Sequence, residues 1–260
     1  MRGGVSGGVG DGARDLLLGS HCLGCSVPGR LLCRACAADL PRTPYVAWPT
    51  PVPPGLVEPW AAAPYSATVR ALVVGLKEHR LLALVRPLAH LLALAVATDL
   101  PVSGHPVVLV PVPSRRSSVR ARGHDHTTAL AERTARLLRP VLDIRVARLL
   151  RLRSGVADQA GLDAAARGAN LAGSMHCPSP GVHRLATHTP RATVVVCDDV
   201  LTTGSTAREA QRALEAVGVP VARVAAVAAT PLRAAPGSGG WTGLHSRLSA
   251  DHLPPLPGND

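Results

Sequence analysis

The chain contains no phenylalanine, and its few tyrosines and tryptophans leave the aromatic content at 2%. Hydrophobic residues still make up 47%, enough for a core, but that core must be built from alanine, valine and leucine. Lysine is almost absent as well: Lys77 is the only one, so the formal charge of +11 is carried by arginine. Arginine makes planar, bidentate contacts with phosphate and carboxylate, and a basic surface can attract nucleic acid. A bias toward Ala, Arg, Gly and Pro is also what a GC-rich coding sequence produces, so charge alone assigns no DNA partner. Long apolar runs are missing too. The longest, residues 81–97, is interrupted by Arg86, Pro87 and His90 and is shorter than the roughly 20 residues a bilayer requires. It reads as a buried helix kinked or broken at Pro87. The amino terminus has no apolar core followed by a small-residue cleavage site. A cytoplasmic protein with no membrane span is therefore expected. Neither an internal repeat nor a helix-turn-helix pattern stands out.

What is present begins with cysteine. Cys22, Cys25, Cys33 and Cys36 form two CxxC pairs separated by seven residues. Each pair places two thiolates on one tight turn, and two such turns can close a tetrahedral four-cysteine zinc site with no open coordination position, which is structural rather than catalytic. Two disulfides are the alternative, disfavoured in a reducing compartment.

The most informative stretch is residues 194–206, VVVCDDVLTTGST. Val194 to Cys197 is a short apolar run suited to a buried parallel strand. Asp198 and Asp199 follow, then a loop of Thr202, Thr203, Gly204, Ser205 and Thr206. From Ala207 apolar residues recur at helical spacing as far as Val217, and Gly218 stands where a helix terminates. A helix amino terminus offers unpaired N–H groups and partial positive charge. The hydroxyls add donors, and Gly204 permits close approach of the backbone. Together these suit a phosphate monoester. Two carboxylates at the carboxyl edge of a sheet can accept hydrogen bonds from vicinal sugar hydroxyls. A phosphate beside a diol points to a ribose 5-phosphate.

The remaining segments fit around this stretch. Residues 1–14 are glycine-rich and expected to be disordered, residues 15–40 hold the cysteine module, and the proline-crowded residues 41–64 read as an extended linker pinned to apolar surface by Trp48 and Trp60. Helices are expected from Ser66 to about Lys77 and from about Arg80 to Thr98. Lys77 near a helix carboxyl end is read as a favourable dipole contact, not a catalytic group. Val107 to Val112 is a further buried strand. The basic loop behind it, with Arg115, Arg116, Arg120, Arg122 and Gly123, would suit a pyrophosphate. Helix then runs to about Leu138, and residues 143–150 can form a strand. Residues 151–173 are small and polar, in the manner of a lid. Val221 to Thr230 is the last core strand, and residues 231–260 are a Pro/Gly-rich tail.

Residues 194–206 resemble the phosphoribosyl pyrophosphate (PRPP) signature of type I phosphoribosyltransferases. With DLLLGSHCLGC, the second CxxC, VPVPSRR…RARGHDH and the Gln159…Arg167…Asn170 spacing, the chain resembles the ComF (competence protein F-like) family over roughly residues 15–230. The resemblance implies an α/β fold: a Rossmann-like parallel sheet flanked by helices over residues 65–230, with a small amino-terminal zinc module and disordered termini. It implies that Asp198 and Asp199 hold the ribose hydroxyls and that Thr202, Thr203, Gly204, Ser205 and Thr206 cradle the 5-phosphate. Arg115 and Arg116 would hold pyrophosphate, with Mg2+ bridging pyrophosphate and ribose oxygens. The implied reaction transfers the phosphoribosyl group to a nitrogenous, nucleobase-like acceptor, as in nucleoside metabolism. The alternative is a non-catalytic accessory of competence and DNA uptake, with DNA or uptake machinery as partner. Where the family carries Arg-Gly-aromatic-Asn-Gln this chain has Arg122, Gly123, His124, Asp125 and His126, and Ser174 and Met175 replace an aromatic. These departures fall on the expected acceptor side.

Overall fold

Short apolar runs bounded by turn residues become strands, and the longer amphipathic runs become helices. The computed structural model describes residues 20–100, 104–114, 125–153 and 173–230. The glycine-rich start, most of the basic loop and of the expected lid, and the tail lie outside the described residues. In chain order the elements are α1 (Arg34–Ala38), β1 (Tyr45–Val46), β2 (Pro59–Pro64), α2 (Ala67–Lys77), a 3-10 turn (Leu82–Leu84), α3 (Val85–Ala97) and β3 (Val107–Pro111). There follow α4 (His126–Leu138), β4 (Ile144–Val146), β5 (Arg151–Leu152), β6 (Met175–His176), α5 (Ser179–His188), β7 (Thr193–Leu201), α6 (Ser205–Glu215) and β8 (Arg223–Ala229).

The main sheet has six strands in the order β1-β2-β8-β7-β3-β4. All its pairings are parallel except β1 with β2, and β5 and β6 form a separate antiparallel pair. After β3 the chain passes through α4 to β4 on one side, whereas after β7 it passes through α6 to β8 on the other. The order therefore reverses between β3 and β7, where Pro111 lies opposite Cys197. In open α/β sheets the crevice beyond the strand ends at such a point is where ligands bind.

The period-two alternation of β7 divides the core. Val195 and Cys197 pack with Leu72, Leu88 and Leu130 from α2, α3 and α4. Val194 and Val196 pack with Ala207, Ala210 and Leu214 from α6. In the absence of phenylalanine the central strands carry small side chains, and all of β8 is buried. Every residue of α3 from Leu88 to Val96 is buried, His90 being the one polar residue among them, so apolar side chains all round this stretch reflect a core helix.

Three expectations are corrected. Part of the segment read as a linker is β1 and β2, and β2 is inserted between β1 and β8 with Pro59 to Ala63 buried. Prolines mislead here because Pro59 and Pro64 occupy the strand's ends, where a missing N–H is tolerated, while the alanines between them pair with β8. Trp60 is buried and donates from Nε1 to Glu58 Oε1 at 2.7 Å, but Trp48 is exposed. Pro87 neither kinks nor breaks its helix: it sits in the first turn of α3, after the 3-10 turn, where no intrahelical donor is lost.

Candidate functional site

β7 runs past Cys197 to Leu201, because Val200 and Leu201 continue the pairing with Ala228 and Ala229 of β8. The acidic pair thus lies within the strand's carboxyl-terminal part, beside the switch point. Both side chains are removed from water, with Asp198 at 9% and Asp199 at 5% exposure, and their surroundings differ. Asp199 continues the face of Val195 and Cys197. Its Oδ1 accepts from the Val200 N–H at 2.8 Å, and its Oδ2 accepts from Lys77 Nζ at 3.0 Å and lies 3.0 Å from His126 Nε2. Asp198 Oδ1 accepts from the Asp199 N–H at 2.8 Å. Burial pushes the Asp198 carboxyl up to about 8, and the neighbouring Asp199 charge adds to the rise. Burial also opposes ionisation of Asp199, but the His126 hydrogen bond and the Lys77 charge outweigh it and hold that carboxyl far below its usual range. The surroundings thus raise the proton affinity of Asp198 and lower that of Asp199.

Lys77 and His126 join the site although neither is among the residues expected there. Lys77 is indeed in the last turn of α2, where the dipole favours a cation, yet that last turn abuts the end of β7 and its ammonium reaches Asp199. Helical periodicity locates Lys77 on its helix but cannot show which strand end that helix meets. The one available signal is that the chain spends its only lysine there. His126 stands where the ComF pattern has glutamine. Instead of lying only on an acceptor side it opens α4 and contacts Asp199, and its Nδ1 is buried without a hydrogen-bond partner among the described residues.

The loop after β7 leads directly into α6. Gly204 takes a left-handed conformation, φ +71°, as the N-cap of α6 and has no side chain to cap it. The Ser205 N–H makes a long contact to Thr203 Oγ1 at 3.4 Å, and a helix amino terminus of this kind is suited to an anion. Thr203 Oγ1 donates to Ser205 Oγ at 3.0 Å, which holds two of the hydroxyls on the same turn. Thr202 is exposed, and Thr203, Ser205 and Thr206 are half-buried. Behind the loop lies the proline segment: a Cβ at position 204 would come within 2.8 Å of Pro49 Cγ. α6 grips the same segment, with Arg208 Nε donating to the Pro54 carbonyl at 2.8 Å and Gln211 Nε2 to the Gly55 carbonyl at 2.9 Å.

On the other side of the switch point, Ser114 follows β3 and donates from Oγ to Asp125 Oδ1 at 3.0 Å. Asp125 also caps α4, accepting from the Thr128 N–H at 3.3 Å and the Thr128 hydroxyl at 2.8 Å. Arg115 and Arg116 lie outside the described residues, as do Gln159, Arg167 and Asn170; the described ends of the basic loop are thus held together at the carboxyl edge of β3.

The four amino-terminal cysteines are brought together, and their sulfurs all lie within 4.8 Å of one another. No disulfide joins them, and the Cys25 and Cys33 sulfurs are 3.6 Å apart. Zinc–sulfur bonds of about 2.3 Å in a tetrahedron require sulfurs about 3.8 Å apart, so the donor set fits a tetrahedral metal. Cys22 Sγ accepts N–H groups of Gly24 at 3.4 Å and Cys33 at 3.3 Å. Burial works against its thiolate, but these main-chain donors prevail and bring the Cys22 thiol down to about 6. The module packs on α2: a Cβ at Gly24 would touch Thr68, and one at Gly75 would lie 3.0 Å from Leu23 Cδ1.

Among the described residues no helix is long and apolar enough to cross a membrane. No curated protein matches the chain. Residues 144–252, which run from β4 through the acidic pair and the anion loop past β8, match the family model of the phosphoribosyl transferase domain, and with the parallel sheet flanked by helices this part of the chain has the fold class of a phosphoribosyl transferase domain.

Proposed function

We propose that the chain binds PRPP with Mg2+ at the β3/β7 switch point and transfers its phosphoribosyl group to a nitrogenous acceptor, releasing pyrophosphate. The observation that carries this reading is the pairing of a buried acidic dyad with a glycine-capped, hydroxyl-lined helix amino terminus on one strand–loop–helix unit. Thr202, Thr203, Gly204, Ser205 and Thr206 would receive the 5-phosphate, and Asp198 and Asp199 the ribose hydroxyls. Arg115 and Arg116, following β3, would hold the pyrophosphate. Lys77 and His126 keep Asp199 ionised and fix its orientation. Mg2+, bound through phosphate oxygens, would supply charge neutralisation for the leaving group. The new C–N bond forms at the sugar's C1 as the C–O bond to pyrophosphate breaks, so the protein's main tasks are positioning and charge stabilisation.

In this reading Zn2+ occupies the cysteine cluster as a structural ion, and the ComF family is the best description of the whole chain because it joins such a module to this domain. The test is pyrophosphate release from PRPP and Mg2+ across a panel of nucleobases, with Asp198→Asn/Asp199→Asn as control. Release that depends on a base and is lost in the control supports transfer. Binding without release for any base would favour a PRPP-sensing accessory, the role that the competence and DNA-uptake association of the family suggests.

A further inference from the structure

A second concentration of positive charge lies away from the acidic pair, on the helices covering one face of the sheet. There a cavity of about 440 Å3 opens between the start of α3, with the preceding 3-10 turn, and α4. Leu82, Val85 and Ala129 give it an apolar lining, and Arg86, Arg133 and Arg136 bring guanidinium groups to it together with Glu132. Ala129, Glu132, Arg133 and Arg136 share one face of α4 because they recur at helical spacing. Glu132 is the one carboxylate of the lining, so it offsets at most one of the three arginines, and its Oε1 already accepts from Arg148 Nη2 at 2.6 Å. Arg136 Nε is turned to the Glu132 carbonyl at 3.2 Å. Arg133 Nε is buried and has no hydrogen-bond partner among the described residues. A buried donor without an acceptor is costly. Arg86 is also held below its ordinary range, first by burial and then by the charge of Arg133.

We propose that this cavity binds a phosphate-bearing small molecule, its phosphate held by Arg86, Arg133 and Arg136 and its body against Leu82, Val85 and Ala129. An oxyanion supplies what the cavity lacks: a negative charge between like charges. Guanidinium forks match phosphate oxygens in pairs. The volume falls within the range of about 300–1,000 Å3 typical of small-molecule sites. The apolar wall of Leu82, Val85 and Ala129 beside the arginines suits the body of a small molecule, whereas a nucleic-acid strand would follow a continuous row of cations.

The test is hydrogen–deuterium exchange of the full chain with 5′-AMP, inorganic phosphate, a single-stranded DNA 12-mer or sodium chloride at matched ionic strength. AMP and phosphate should slow exchange in peptides spanning residues 80–88 and 127–138, and chloride should not. In Arg133→Gln/Arg136→Gln the half-saturating AMP concentration should rise by about tenfold or more, while PRPP still protects residues 201–208 as in the parent protein. Should that variant fail to fold, Arg86→Gln at the exposed rim provides the same comparison. The proposal is overturned by absence of protection, by equal protection in chloride, by protection that survives the substitutions, or by protection with the oligonucleotide alone. Loss of the PRPP signal at residues 201–208 in the parent protein would instead strike the reading of the acidic-pair site.

Discussion

Asp198 and Asp199 are adjacent in sequence and opposite in proton affinity because strand alternation gives them different neighbours. The native Asp198 carboxyl keeps a proton that the unfolded chain releases near 3.8, up to about 8. Its contribution to stability is therefore complete below the lower value and lost as pH rises through this window. Asp198→Asn, which resembles the protonated acid, should give a flatter stability profile across that window and exceed the parent at its upper end, as thermal melts over pH will show. Asp199 is the reverse case: its stabilisation is present above its ordinary value of 3.8 and disappears as pH falls below it. Asp199→Asn should cost about 1–3 kcal/mol at neutral pH, less than breaking a fully buried pair because water can take over part of the Lys77 charge. Equal effects of the two substitutions on neutral-pH stability would contradict the assignment. A further consequence is proton release. Bringing Mg2+·PRPP to Asp198 favours its ionised form, so calorimetry near pH 7 in buffers of different ionisation enthalpy should show protons leaving on binding, an effect absent in Asp198→Asn.

At the scale of elements, the sites depend on parts of the chain far from them in sequence. The cysteine module braces α2 through Leu23 and Thr68, and α2 delivers Lys77 to Asp199. Stripping metal with a strong chelator, or substituting Cys33→Ser, should lower the melting temperature and also weaken PRPP binding several-fold. If the variant keeps full PRPP affinity, the brace has no role at the site. The anion loop depends likewise on the segment from Pro49 to Leu56, against which Gly204 is packed. Gly204→Ala combines a left-handed backbone with a Cβ pressed on Pro49, and should cost about 1–3 kcal/mol in chemical denaturation. These contacts explain why residues 41–64 mislead a reader of the sequence. Proline content reports local stiffness, whereas the insertion of β2 between β1 and β8 is decided by tertiary pairing of an alanine run whose character is neutral between strand and loop.

At the scale of the whole molecule, the strand order places two connections of opposite direction at one sheet edge, and the chain puts its acidic pair in the strand leading into one and its basic loop after the strand leading into the other. The strand–acid–loop–helix unit is legible in the sequence because each part has a local signature: the valine run, the carboxylates, the glycine with hydroxyls, the helical repeat. The cysteine cluster is legible from spacing. Lys77 and His126 are not, since their part depends on where α2 and α4 meet β7. The α4 cavity is equally hidden, because arginine is so abundant in this chain that three more carry no signal until the fold brings them together.

The measurement that bears most directly on the central claim is calorimetric titration of the purified protein with PRPP in the presence of Mg2+, repeated on Asp198→Asn/Asp199→Asn. Saturable one-to-one binding in the parent protein, lost in a double variant that remains folded, is the predicted result. Absence of binding in the parent protein, or the same affinity in both, would contradict the account and leave the acidic pair and its loop as a structural remnant.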